Sequence, residues 1–553
     1  MKTLTLFLAI SISLCARSQT YINGFISVNT TWTTANSPFI INGNTILQNG
    51  ITLTIEPGVV IQLDTNKAFT IDGELIAIGD SANFILFTSL QSMPGAGDWG
   101  KIAFSDFSED AVLDSSGEYV SGSILKYCEI NYGGSLGISA ISVDNSAPYI
   151  RYCRILNSKN AGILLRDSRT SIKHCYFEGN QSNAIGYWFS NYGIQQAEIN
   201  NNSIVNNNGG IIINNSNLID HATIYIKNNH FESNGPKPVI DNTSKGIVIS
   251  NNDFIGNHTD IGSGLIYFNR CESYNIECNR FVDNDISGTS LLNLPRSDGI
   301  IQNNLFDGNL STTFGNTLSI IRGPNVYFHN NVIRNNDCNG PCFLFQCYSC
   351  QSESFHIAEN EFLNNSGQSM IRISLSGAIT GTNYAYVKHN NFNDPLASWE
   401  LYNSIPSNAS SLLADSNYWN STNTQHIDSV IYDYFDNGAN SIVYYQPILQ
   451  SPVIVDTSCT PSITTWLSEL AFEEITSSVF PNPVVNQSQI NLSRPVINGM
   501  LKIYNLLGEC IATKRIINSE NVLLDKKDLP SGLLFYSLLD SNKSIAKGKF
   551  LVF

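Results

Sequence analysis

Three side chains that could supply a base, an acid and a cation stand at matched places in the sequence: His230, Asp253 and Arg280. Each lies one residue before a phenylalanine (Phe231, Phe254, Phe281), at spacings of 23 and 27 residues. Lys227 and Glu277 stand four residues before Phe231 and Phe281. Tyr176 takes the His230 place before Phe177, two repeats earlier. A base, an acid and a cation within mutual reach are what lyase or hydrolase chemistry on an acidic sugar chain needs. The same residues also suit a ladder of ion pairs on a solvated face, and polar columns of that kind are ordinary on repeat folds. The ladder is the expected reading, so the three remain candidates only.

What positions them is a repeat. Its clearest copies read Ile226-Lys-Asn-Asn-His-Phe231-Glu-Ser-Asn234, Ile249-Ser-Asn-Asn-Asp-Phe254-Ile-Gly-Asn257 and Ile301-Gln-Asn-Asn-Leu-Phe306-Asp-Gly-Asn309. The central apolar residue, the anchor, recurs from Ile130 to Trp419 at intervals of 22 to 30 residues. A period of that size marks a solenoid. Two places before the anchor the chain carries Cys128, Cys153 and Cys175, then asparagine from Asn202 to Asn417. Three places after it a second asparagine column runs from Asn180 to Asn365.

Positions −5, −2 and 0 cannot share one side of a flat strand, whose side chains alternate with period two. A bend must therefore fall between −5 and −2. The Asn-Asn pairs there suit it, because asparagine tolerates left-handed backbone. Stacked coils would bring each asparagine amide to the next in a hydrogen-bonded ladder. Outward positions −1 and −4 vary from coil to coil, and function, if localised, belongs there.

Composition narrows the classes. Charged residues are 14% and aromatics 10% of the chain, too apolar for a disordered one. Residues 1–18 carry +2 and residues 478–553 carry +4, so the net −16 leaves −22 on residues 19–477. An acidic body excludes phosphate-backbone binding, hence nucleic acid. It would tolerate divalent cations; calcium is conceivable, and no other cofactor is indicated.

Lys2, the apolar run Leu4–Leu14 and Ala16-Arg17-Ser18 read as a secretory signal peptide cut after Ser18. Leu14 before Cys15 argues against lipidation, and no segment is long and apolar enough to span a membrane. Eleven cysteines remain beyond Ser18, an odd number. Cys338, Cys342, Cys347 and Cys350 cluster; four thiolates could hold zinc, but outside the cell two disulfides are expected. Cys271 and Cys278 are a further candidate pair. Cys128, Cys153 and Cys175 read as buried apolar residues of the −2 column.

Residues 19–124 carry short strand-like runs split by Pro57-Gly58, Asp72-Gly73 and Gly79-Asp80. Leu53-Thr-Ile-Glu-Pro-Gly58, Gly73-Glu-Leu-Ile-Ala-Ile-Gly79, Ile85-Leu-Phe-Thr-Ser89 and Trp99-Gly-Lys-Ile102 resemble the first rungs of secreted bacterial β-helix proteins. With the repeat of residues 125–455, the chain resembles the right-handed parallel β-helix class, which implies an all-β fold. Trp32 and Trp99 are expected to fill coil ends rather than stack on sugars. Polygalacturonases of that class carry an Asp-Asp pair, a Gly-His and an Arg-Ile-Lys segment; none of the three occurs here. Lys173-His174 and Lys388-His389 read as surface residues.

After a linker, 456–477, a second module opens with Val479-Phe480-Pro481-Asn482-Pro483. It continues through Asn505-Leu-Leu-Gly508 and Leu529-Pro-Ser-Gly532 to Lys549-Phe-Leu-Val-Phe553. Alternating strands over some 75 residues suit a small antiparallel sandwich. In that order the segments resemble the type A C-terminal sorting domain of the type IX secretion system of Bacteroidetes, with Leu534 where an aromatic is common. The resemblance implies export through the periplasm to the outer surface or the medium. It also implies the secretion machinery as partner and removal of residues 478–553 by a sortase-like peptidase. The expectation is a secreted or surface β-helix protein that binds a glycan or host surface without catalysis. A polysaccharide lyase or glycoside hydrolase, and a purely structural surface protein, are the alternatives.

Overall fold

The computed structural model describes residues 19–553 except 138, 190–195, 216–222, 261–263, 288–289, 312–317, 324, 349–354, 377–384, 410, 456–476, 506–509 and 541–542. Cys350, Cys459 and Gly508 lie outside the described residues. The chain divides into two compact units, one up to Ser462 and one from Ile463.

The first unit is a right-handed parallel β-helix. Its anchors stack in register, Phe177 on Ile204, Ile204 on Phe231, and Phe231 on Phe254. The rings of Phe231, Phe254, Phe281 and Phe306 lie face to face, with centroids 4.8, 4.8 and 4.9 Å apart. That spacing is the distance between hydrogen-bonded strands, so one ring per coil builds a continuous aromatic column. Each buried Phe contributes about 1.5–3 kcal/mol of transfer free energy, and stacking adds about 0.5–1.5.

Each coil has three sides. The first, Thr223–Lys227 for example, stacks into a parallel sheet of 16 strands. The second, such as His230–Glu232, and the third, such as Ile240–Asn242, belong to a 33-stranded sheet that wraps two sides. The bend between the first two sides falls at −3, where Asn201, Asn228, Asn251, Asn303 and Asn330 all have φ between 53° and 57°. A second left-handed residue at +2, Asn206, Ser233, Gly256 or Asp283, turns the chain onto the third side.

Both asparagine columns form ladders. Asn229 Oδ1 accepts the Asn202 backbone N–H at 2.9 Å and the Asn202 amide at 3.0 Å. The Asn229 amide in turn donates to Ile199 O at 2.9 Å in the coil before and to Asn252 Oδ1 at 3.0 Å in the coil after. Each such side chain therefore ties three coils. The +3 ladder runs in the same way from Asn180 to Asn365 and ends on Asp394, whose Oδ1 accepts both Asn365 donors at 2.7 Å.

The earliest coils solve the same problem with other residues. Cys153 Sγ donates to Leu125 O and Arg151 O, both at 3.3 Å, which are the carbonyl positions an Asn amide takes higher up. Cys175 marks the change: its own N–H is accepted by Asn202 Oδ1 at 2.9 Å. The left-handed −3 place holds Tyr127, Tyr152 and His174, whose rings stack at 5.0 Å per step. His174 is thus a half-buried member of a corner stack rather than a simple surface residue. Burial, with Arg151 and Lys173 alongside, pushes its pKa down to about 4.

Trp32 and Trp99 are buried, Trp32 stacked on Phe39 at 4.6 Å and Trp99 donating to Asn131 O at 2.8 Å. At the far end the helix Thr424–Ser429 and the turns that follow close the coil. Cys338 and Cys342 are joined by a disulfide, and Cys347 and Cys278 are each disulfide-bonded. Cys271 is a free buried thiol, so it does not pair with Cys278. The reason is geometric: the extended strand Ser273–Glu277 separates them, about 3.3 Å per residue, far beyond a disulfide's Cα span.

In the second unit, Ser477–Phe480, Gln487–Tyr504, Cys510–Asp525, Gly532–Asp540 and Lys543–Val552 form one antiparallel sheet. The sandwich is thus a single sheet folded over, and a bridge from Val484 to Val552 joins its beginning to its last strand. Ile490, Leu501, Ile503, Leu534, Tyr536 and Phe550 fill its core.

Candidate functional site

The stacking brings the sequence candidates together as two files. On the second side Tyr176, Ser203, His230, Asp253 and Arg280 are neighbours in register. On the first side Lys227, Ser250 and Glu277 do the same. Proximity alone does not make a catalytic set, because each charged or phenolic group already has a partner; among the described residues, the Ser203 hydroxyl is buried without one. Arg280 Nη1 donates to Asp253 Oδ1 at 3.1 Å. His230 Nε2 meets Glu232 Oε2 at 3.0 Å. The Lys227 ammonium sits 4.6 Å from the centre of the Tyr225 ring, and Glu277 Oε2 accepts from Gln302 at 3.0 Å. Tyr176 is only 8% exposed, and its hydroxyl donates to Glu178 at 2.9 Å. Burial and that carboxylate hold its pKa above the ordinary phenol value. The file is built as a ladder of neutralised charges.

The same first side carries a cleft that the sequence reading did not single out. It has a volume of about 320 Å³ and is lined by Thr223, Lys245, Gly246, Ile247, Val248, Glu272, Ser273 and Asn275. Thr223, Gly246 and Ser273 stand side by side in successive strands. The missing side chain at Gly246 leaves a gap in an outward file, a place where a ligand can approach backbone. Lys245 Nζ pairs with Glu272 Oε1 at 2.7 Å at the edge. Among the described residues, Asn275 Oδ1 is buried without a hydrogen-bond partner. Two hydroxyls, an amide and one balanced ion pair are hydrogen-bonding groups suited to sugar hydroxyls. The signal was present as a glycine between Thr223 and Ser273, but only the register shows that the three are neighbours.

Comparisons with known proteins place the chain. Residues 478–552 match the family model described as secretion system C-terminal sorting domain. Residues 24–162 match the pectate-lyase like beta helix domain, and residues 103–264 match the periplasmic copper-binding protein (NosD). The fold and these matches define a secreted parallel β-helix protein. It carries a type IX sorting domain that directs it to the cell surface or the medium. No curated protein sequence matches it significantly. Among solved structures it is similar to a mannuronic acid specific polysaccharide family 6 lyase enzyme from human gut microbiota. That match has 14% identity and a TM-score of 0.35, and covers 72% of this chain and 87% of that one. It is also similar to a mutant tailspike protein of E. coli bacteriophage HK620 in complex with pentasaccharide. There the identity is 9% and the TM-score 0.28, with 91% of this chain and 85% of that one covered.

The described residues do not fit a copper centre. No group of three or more His, Cys, Asp or Glu side chains converges among them. The three stacked thiols Cys128, Cys153 and Cys175 spend their S–H groups on backbone carbonyls. No described helix is long and apolar enough to cross a membrane.

Proposed function

We propose that the exported protein is a rigid, non-catalytic glycan-binding scaffold and that the cleft at Gly246 holds the sugar. The observation that carries this reading is the pairing of His230 with Glu232 and of Arg280 with Asp253, beside a polar cleft one side away. Each charged group is matched to a neighbour along the ladder, His230 to Glu232 and Arg280 to Asp253, and the set does not converge on one point as an acid–base pair must. The balanced Lys245–Glu272 pair and the −22 charge on the body favour a neutral glycan over a polyanion. After outer-membrane passage, a sortase-like peptidase removes residues 478–553 and leaves the β-helix released or surface-attached.

The test is to incubate the exported protein with a panel of neutral and acidic polysaccharides and read retention and chain length together. Retention of a neutral glycan at unchanged chain length supports the proposal. Chain shortening that disappears in His230→Ala would establish the lyase or hydrolase alternative. No retention across the panel would leave a structural surface protein.

A further inference from the structure

The first coil of the β-helix is an open end. Its strand Thr20–Ile26 pairs with Phe39–Leu47 on one edge. No other described strand is registered against it, so among the described residues its second edge is unpaired. The strand Thr30–Trp32 of the same coil likewise pairs only with Thr52–Ile55. Tyr21, Phe25 and Val28 are 59%, 66% and 67% exposed there.

Natural proteins guard such edges with charged residues, proline or a covering element. Among the described residues, none of these guards lies along the strand. No Asp, Glu, Lys, Arg or His occurs anywhere from Gln19 to Ile55, in a chain whose net charge is −16. The opposite end is treated differently. It is closed by Thr424–Ser429 and by a turn in which Asp433 accepts from the N–H groups of Phe435 and Val443. Asp428 and Asp436 add charge there.

We propose that Thr20–Ile26 is a self-association edge through which two copies pair end to end, antiparallel, about a two-fold axis at Asn23. The occupant is a second copy for two reasons. First, an end without acidic side chains is where two molecules this acidic can meet with least repulsion. Second, the strand is self-complementary. Antiparallel pairing centred on Asn23 sets Tyr21 of each copy opposite Phe25 of the other, two aromatic cross-strand pairs from one isologous contact. Gly24, at φ 72°, bends the strand beside that centre. A two-fold axis along the bisector of the bend superposes the two bent strands, so the corner does not prevent pairing.

The test uses the chain from Gln19 to Phe553, before the tail is removed, with reductant present, because Cys510 is an exposed free thiol able to link copies. Light scattering at micromolar concentration should give a dimer. Phe25→Lys should give monomer, and Phe435→Lys at the other end should not change the dimer. In a Cys510→Ser background, Asn23→Cys should form a covalent dimer under mild oxidation, since the two sulfurs would face each other across the axis. A monomer at all concentrations, a dimer that survives Phe25→Lys, or failure of Asn23→Cys to cross-link would each overturn the proposal.

Discussion

Asn279 Oδ1 accepts twice from Asn252, from its backbone N–H and from its amide, each at 3.0 Å. One side-chain oxygen thus holds a bend residue in place while its own amide reaches Ile249 O at 2.9 Å in the coil before. Replacement by alanine leaves a buried N–H and a buried carbonyl without partners, at about 1–3 kcal/mol each. Asn279→Ala should therefore lower unfolding free energy by about 2–5 kcal/mol. Surface Asn228→Ala, at the left-handed −3 place, should cost less, about 1–2 kcal/mol. Chemical denaturation of both variants checks the order.

The thiol column predicts an unusual tolerance. Cys175 Sγ donates to Lys173 O at 3.3 Å, as Asn229 Nδ2 donates to Lys227 O at 2.9 Å. Cys175→Asn should extend the ladder downward and stay within about 1.5 kcal/mol of the natural protein, a volume change the site can absorb. Cys175→Ala should lose about 1–3 kcal/mol. Thermal unfolding of the pair separates a ladder position from a merely apolar one, where alanine would be the milder change.

A pH response follows from the end of the +3 ladder. Asp394 is 3% exposed and Glu400 7%, and Glu400 Oε1 accepts the Asp394 N–H at 3.0 Å. Burial pushes the Asp394 carboxyl up from 3.8 to about 6, and burial with the neighbouring Asp394 charge holds Glu400 well above its ordinary value. Acids raised in the folded state add stability below their unfolded values and lose it as pH rises through the folded ones. The unfolding midpoint should therefore fall between about pH 4 and 7 through this pair. Glu400→Gln should flatten that slope; a slope unchanged by the substitution would refute the assignment.

How much of this was legible beforehand depended on what each feature needed. The asparagine columns were readable because spacing alone sets who stacks on whom. The same spacing correctly placed His230, Asp253 and Arg280 in one file. It could not tell that the His230 ring turns toward Glu232, since side-chain direction is a local choice among rotamers. Cys271 and Cys278 were close in sequence, yet an extended strand carries them apart. The Gly246 cleft escaped because it is made by a missing side chain between strands whose sequence separations are 23 and 27 residues.

The sorting domain yields a prediction at its opening segment. Asn482 Oδ1 accepts the Leu551 N–H at 2.9 Å, and the Val484 N–H donates to Leu551 O at 2.7 Å, so the Pro481-Asn482-Pro483 segment clasps the last strand. Deleting 478–553 should leave the protein in the periplasm. Asn482→Ala should reduce surface display in a cell-fractionation assay without changing the β-helix unit's own unfolding. Full display of the deletion would refute the role of the tail.

The central claim is that the outer cleft binds a sugar and the charged file beside it does not react with one. Calorimetric titration of the retained glycan into the natural protein, Gly246→Phe and His230→Ala tests it most directly. Gly246 lines the cleft and alternates with the inward Ile247, so a phenylalanine there should lie outward, against the cleft. The account predicts that it abolishes binding, that His230→Ala binds like the natural protein, and that no slow heat of turnover follows mixing. Undiminished binding by Gly246→Phe, or turnover heat that His230→Ala removes, would contradict it.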